Sequence, residues 1–180
     1  MPSYSVSASE IKYASGSSWT SGKARQGVYS STRYEGALNF AVLANFSFSN
    51  IAITGIQMRV TFGPTGGSST KYLTLYGGAK NSISGSIASM RGSALGAVSV
   101  SNAFDRTVTL NFNSGSEAAI YNALVNFFTS GNRVLILYVP KTRGTYSGGY
   151  CYDYLSVTAM TLTFTYEYLQ SSGSMASSSV

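Results

Sequence analysis

Two segments alternate apolar and polar residues almost without a break. In residues 53–62, ITGIQMRVTF, Ile56, Met58, Val60 and Phe62 fall on one face, and Gln57, Arg59 and Thr61 on the other. In residues 157–168, VTAMTLTFTYEY, the inward set is Met160, Leu162, Phe164 and Tyr166, and the outward set is Thr161, Thr163, Thr165 and Glu167. Side chains of a strand point alternately to its two faces, so a period of two with one apolar face predicts half-buried antiparallel strands. Shorter runs predict strands at 37–43 (ALNFAVL), 71–76 (KYLTLY), 106–112 (RTVTLNF) and 133–139 (RVLILYV), with weaker signals at 24–30 (ARQGVYS) and 86–90 (SIASM). RVLILYV is apolar at nearly every position and predicts a central strand, covered on both faces or capped by a helix. GPTGGSST (63–70) carries the Pro and Gly of a hairpin loop, and GGAKNSISGS (77–86) reads as a loop.

One segment changes period. In SGSEAAIYNALVNFFTSGN (114–132), Ile120, Leu124, Phe127 and Phe128 recur at helical spacing. Ser114 and Glu117 have the spacing of a capping box, and Gly131 is a natural stop. A helix is therefore expected at about 115–129, its single apolar stripe covering an open end or edge of the sheets. The elements together predict an all-β fold: a two-sheet antiparallel sandwich with one short capped α-helix. The flanks are Ser-rich and poor in apolar residues. They divide the chain into a flexible N-terminal arm (1–20), a single β-sandwich domain (21–168) and a flexible C-terminal tail (169–180).

Composition narrows the function. The chain has 180 residues, 44% apolar and only 10% charged, against an average of about 25% charged. Ser, Thr, Gly, Asn and Tyr fill the deficit and predict a polar, nearly neutral surface, more typical of extracellular and virion β-proteins than of cytoplasmic enzymes. The net charge is +6, but the basic residues are scattered without a run, which argues against specific nucleic-acid binding. No apolar stretch approaches the roughly 18 residues of a spanning helix, so no membrane insertion is expected. The N-terminus lacks the charged start and apolar run of a signal peptide.

Histidine is absent, which removes Ser–His and Cys–His nucleophilic catalysis and the commonest zinc ligand. The single cysteine, Cys151, permits no internal disulfide. The six carboxylates are Glu10, Glu35, Asp105, Glu117, Asp153 and Glu167. Glu117 is assigned to a cap and Glu167 to an outward strand position. No motif links Glu10, Glu35 and Asp153 into the pair a glycosidase needs. The sequence thus predicts no enzyme, no metal site and no cofactor.

The aromatic residues carry the remaining signal. GTYSGGYCYDYL (144–155) places Tyr146, Tyr150, Tyr152 and Tyr154 within nine positions, with Lys141 and Arg143 just before. Tyrosine offers an apolar ring and a hydroxyl at low entropy cost, which suits both sugar stacking and protein interfaces. Three readings stand: Tyr150, Tyr152 and Tyr154 pack along one face of the last strand, or the segment meets another subunit, or it forms a glycan platform. Tyr146, beyond the glycines, is the one freest for a partner. Trp19, in SGSSWTSGK, is a second candidate contact, against the alternative of simple burial.

YEGALNF, ITGIQMRVTF, KYLTLYGGAKNS and the helix-to-strand unit SGSEAAIYNALVNFFTSGNRVLILYV together resemble jelly-roll domains, similar to carbohydrate-binding modules, of the structural proteins of tailed bacteriophages and prophages. The likeness spans residues from about 24 to 168. The resemblance implies a jelly-roll fold and a non-enzymatic virion component, such as a capsid decoration, fibre or tail-tip protein. It implies assembly in the host cytoplasm, self-association as a trimer or larger, docking on other virion proteins, and contact with host-surface glycans. It brings no fixed binding residues. The alternative is an extracellular carbohydrate-binding module of a secreted multidomain protein.

Overall fold

The structure, a computed structural model, describes residues 1–30, 32–66, 70–101, 104–139 and 151–170. In chain order the elements are β1 (Ser3–Ser7), β2 (Glu10–Ala14), β3 (Thr20–Ser21), β4 (Ala24–Ser30), β5 (Thr32–Asn39), a 3-10 turn (Ala41–Asn45), β6 (Ile51–Phe62), β7 (Thr70–Gly78), α1 (Ile87–Met90), β8 (Arg91–Ser101), β9 (Thr107–Phe112), α2 (Ala118–Thr129), β10 (Val134–Leu137) and β11 (Cys151–Tyr168).

The fold is all-β and antiparallel, as the alternation predicts. Its strands form one ladder in the order β8-β7-β10-β5-β4-β11-β6-β9, with β1 added to β11 and β2–β3 added to β5. The ladder folds over on itself at β4 and β5. Met58, Val60, Leu162 and Phe164 from one half and Leu38, Leu73, Leu75 and Leu135 from the other meet in a single core. The two halves are layers of one continuous sheet, where two separate sheets were expected. The link is β5: its first residues pair with β4 (Tyr34 opposite Gly27), and its later ones pair with β10 and β2 (Gly36 opposite Leu137 and Tyr13).

β8 and β9 are the two ends of this path, and α2 touches both, as well as β6. Ile120 lies over Gly96 of β8, where a Cβ would stand 2.6 Å from the Ile120 side chain. The Tyr121 hydroxyl donates to the Ile53 carbonyl of β6 at 2.7 Å. Phe128 meets Phe40 and Phe164 edge to face. The apolar stripe of the helix thus closes the seam between the edges. The expected Ser114/Glu117 capping box does not form. Glu117 is itself the N-cap, in the left-handed region (φ 56°), with no side-chain cap bond. Asn113 and Ser116 instead exchange backbone hydrogen bonds just before the helix.

Other expectations need correction. Residues 1–20 do not form a loose arm: β1 pairs with β11 and β2 with β5, and Val6 and Ala14 are buried. Ser5 and Ser7 share hydroxyl bonds of 2.8 Å with Thr163 and Thr161, so a Ser-rich strand is held with few apolar residues. β6 and β7, on either side of GPTGGSST, do not pair as a hairpin: β6 pairs with β11 and β9, while β7 pairs with β8 and β10. The strand expected at 37–43 ends at Asn39 and turns into the 3-10 segment. SIASM is the short helix α1, capped by the Ser86 side chain accepting from Ser89 N–H. Of the C-terminal tail, residues 171–180 lie outside the described residues; Leu169 N–H still donates to Asn50.

β10 is central and buried at every position. Leu135 and Leu137 enter the main core, while Val134 and Ile136 enter a second cluster on the other face with Ala37 and Met90. β10 pairs with β7 only over Leu75–Gly77, and Tyr138 N–H reaches Thr74. Beyond that point the buried Gln26 of β4 continues the ladder with its side chain. Its amide donates to Tyr72 C=O at 2.7 Å and accepts from Thr74 N–H at 3.0 Å. Leucine at position 26 leaves Thr74 N–H without its acceptor and Tyr72 C=O with only the longer bond of 3.3 Å from the Thr74 hydroxyl, so Gln26→Leu is expected to cost about 2 kcal/mol. Urea unfolding measures this, and a loss within about 0.5 kcal/mol contradicts the account.

Candidate functional site

The residues of ARQGVYS alternate across β4: Ala24 and Gln26 point inward, Arg25 and Tyr29 outward. Gly27 stands opposite Tyr34 on one side and Tyr154 on the other, so the missing side chain leaves room between those two rings. Tyr13 arrives from β2, opposite Gly36. The result is a collar of four tyrosines from four strands around one guanidinium. The Arg25 Cζ lies 4.8 Å from the ring centre of Tyr29, 5.0 Å from Tyr154, 5.1 Å from Tyr34 and 5.5 Å from Tyr13. Tyr29 and Tyr154 meet edge to face at 5.1 Å, and Tyr13 and Tyr34 at 5.6 Å.

Arg25 is buried, and its Nε donates to the buried Ser156 hydroxyl at 3.4 Å. No carboxylate whose side chain is described pairs with it. Ring faces carry negative quadrupole charge, so the tyrosines take the place of a counter-ion, each good contact contributing roughly 1 kcal/mol. Lys23 lies beside the same rings, 5.7 Å from Tyr13. Burial first, and the charge of Arg25 second, lower the pKa of its ammonium. The face is therefore cationic and aromatic at once, with Tyr29 its most open ring at 39% exposure.

The sequence expectations map onto this face unevenly. Tyr154 belongs to it. Tyr152 lies opposite Tyr29 in the β4–β11 register, though its side chain is outside the described residues. Tyr146, Tyr150, Lys141 and Arg143 also lie outside the described residues. Trp19 is used elsewhere: its indole N–H donates to Gly85 C=O at 2.9 Å, and its ring packs against the second cluster. Arg25, Tyr13, Tyr29 and Tyr34 were not singled out from sequence. The alternation of Arg25 and Tyr29 along ARQGVYS is a signal that could have found those two, while Tyr13 and Tyr34 lie outside that segment.

The carboxylates are dispersed into separate interactions. Glu10 accepts from Asn39 and pairs with Lys12 at 3.4 Å. Glu35 is buried against Arg91, and Glu117 begins α2. Among the described residues no group of three His, Cys, Asp or Glu side chains is placed to hold a metal ion. No described helix is long and apolar enough to cross a membrane. The chain matches no protein-family model and no curated protein.

Proposed function

We propose that the chain is a non-enzymatic virion structural protein of a tailed bacteriophage, a jelly-roll-type decoration, fibre or tail-tip component that associates with copies of itself and with other virion proteins. The observation that carries this reading is the tyrosine collar around Arg25. Rigid amphipathic rings and a guanidinium are the residue types that dominate binding energy at protein interfaces. They sit on a sheet face to which β2, β4, β5 and β11 each contribute. The polar, weakly charged composition and the serine–threonine bonds along β1 and β11 suit a protein that works assembled or outside the cell.

The same rings suit the apolar faces of sugars. That favours, as second reading, a carbohydrate-binding module of a secreted protein. Light scattering after size exclusion separates the two. The expected particle is a trimer or larger, and Tyr29→Ala weakens the association by about tenfold or more. A monomer near 19 kDa that binds glycans through Tyr29 overturns the virion reading in favour of the module.

A further inference from the structure

A cavity of about 470 Å³, lined by none of the collar residues, opens between the 3-10 turn and the C-terminal end of α2. Leu43, Phe46, Phe48 and Phe128 line it together with Asn132 and Arg133. The volume is that of a small-molecule site, and aromatic walls with a few polar groups are its usual lining. The rings are held rather than loose. Phe46 stacks on Tyr4 with centroids 4.0 Å apart, and Phe48 meets Phe46 and Phe164 edge to face.

Arg133 supplies the charge. Its backbone is fixed on both sides, its N–H donating to Asn81 and its C=O accepting from Phe40 N–H. Among the described residues its side chain has no such partner: Nε is buried without an acceptor, and no carboxylate pairs with the guanidinium. The nearby helix end would ordinarily disfavour an anion, because its last carbonyls point outward. Here three of the last four, those of Asn126, Phe127 and Phe128, are already engaged. Gly131 N–H donates to Phe128 C=O, Ser130 N–H to Asn126, the Asn132 amide to Phe127, and the Thr129 hydroxyl to Val125. The Arg133 charge is left uncompensated beside an aromatic wall.

We propose that this cavity binds a six-membered ring bearing a carboxylate, the apolar ring face against Phe46 and Phe48 and the carboxylate on Arg133. A guanidinium fork matches a carboxylate in shape and charge. An acidic sugar and an aromatic acid share this chemistry. The site is distinct from the tyrosine collar, so either can fail without the other.

The test is a titration of the full chain with glucuronate and with benzoate, followed by NMR, with glucose and benzyl alcohol as neutral counterparts. At least one acid is expected to bind with a Kd of about 1 mM, shifting the signals of Phe46, Phe48 and Phe128. Its neutral counterpart binds about tenfold more weakly or worse. Which acid binds tells the saccharide source from the aromatic one. Arg133→Gln keeps the backbone bonds of position 133 and is expected to lose about tenfold in affinity for the acid and nothing for the neutral compound. Phe48→Leu, tested in parallel, weakens the acid and leaves the tyrosine-collar signals in place. Equal affinity for acid and neutral ring, unchanged binding in Arg133→Gln, or shifts confined to Tyr29 and Tyr154 each overturn the proposal.

Discussion

Gly36→Ala is expected to destabilise the protein by about 3 kcal/mol, lowering Tm by about 10 °C for a domain of this size. The reason is a strand crossing. Where β5 passes from β4 to β10 and β2, β4 runs directly over it at Gly36. A Cβ on Gly36 would stand 2.7 Å from the Ala24 Cβ and 2.7 Å from the Arg25 backbone nitrogen. The side-chain contact can be relieved by trimming Ala24, but the contact with backbone nitrogen cannot. The double variant Ala24→Gly with Gly36→Ala should therefore recover only part of the loss. Because Arg25 sits at the crossing, the displaced strand also moves the guanidinium away from Tyr13 and Tyr34, and near-ultraviolet circular dichroism of the tyrosines should change with it. Gly36→Ala within about 0.5 kcal/mol of wild type, or full recovery in the double variant, would show that the strands do not approach as described.

That crossing also explains what the sequence conceals. Alternation reveals strands that separate core from solvent, and β6 and β11 do this along most of their length. β10 is legible for the opposite reason: both its faces are covered, so it is apolar throughout. β8, RGSALGAVSVS, is built of small residues around Gly96, because α2 lies close against it, and small residues leave no periodic signal. β1 buries Val6 and otherwise pairs serines with threonines of β11, so hydroxyl bonds replace the apolar contrast that periodicity detects. The tyrosine collar is hidden more deeply. Tyr13, Arg25, Tyr34 and Tyr154 come from four strands and converge only because β4 and β5 exchange partners at a corner. Local density of tyrosines pointed to 146–154, and of that run only Tyr154 has a described side chain in the collar. The capping box failed on a similar point: its spacing was right, but the backbone enters α2 through a left-handed Glu117, and the chain just before it satisfies its own bonds between Asn113 and Ser116.

The other large effect is on pH. Glu35 is completely buried on β5, its Oε2 accepting from Arg91 Nη1 at 2.8 Å and its Oε1 without a partner. The Arg91 guanidinium in turn lies 3.8 Å from the Tyr138 ring centre. Burial raises the pKa of Glu35 from 4.5 to about 7, outweighing the pull of Arg91 in the opposite direction. The folded state therefore holds this proton more tightly than the unfolded chain. Below pH 4.5 the group is protonated in both states, and its contribution to stability is complete. As pH rises through 7 the folded protein must bury a charged carboxylate, and about 3 kcal/mol is lost across that window. Urea unfolding at pH 4.5 and at pH 8 is expected to show the difference, with the protein more stable on the acid side. Glu35→Gln removes the proton and flattens the profile between these limits. At pH 8 it is at least as stable as wild type, because a neutral amide replaces a buried charge, and Arg91, at 26% side-chain exposure, can turn to water. Stability that is flat or rising from pH 4.5 to 7 in the wild type would mean that Arg91 outweighs burial and that Glu35 is charged in the folded protein throughout.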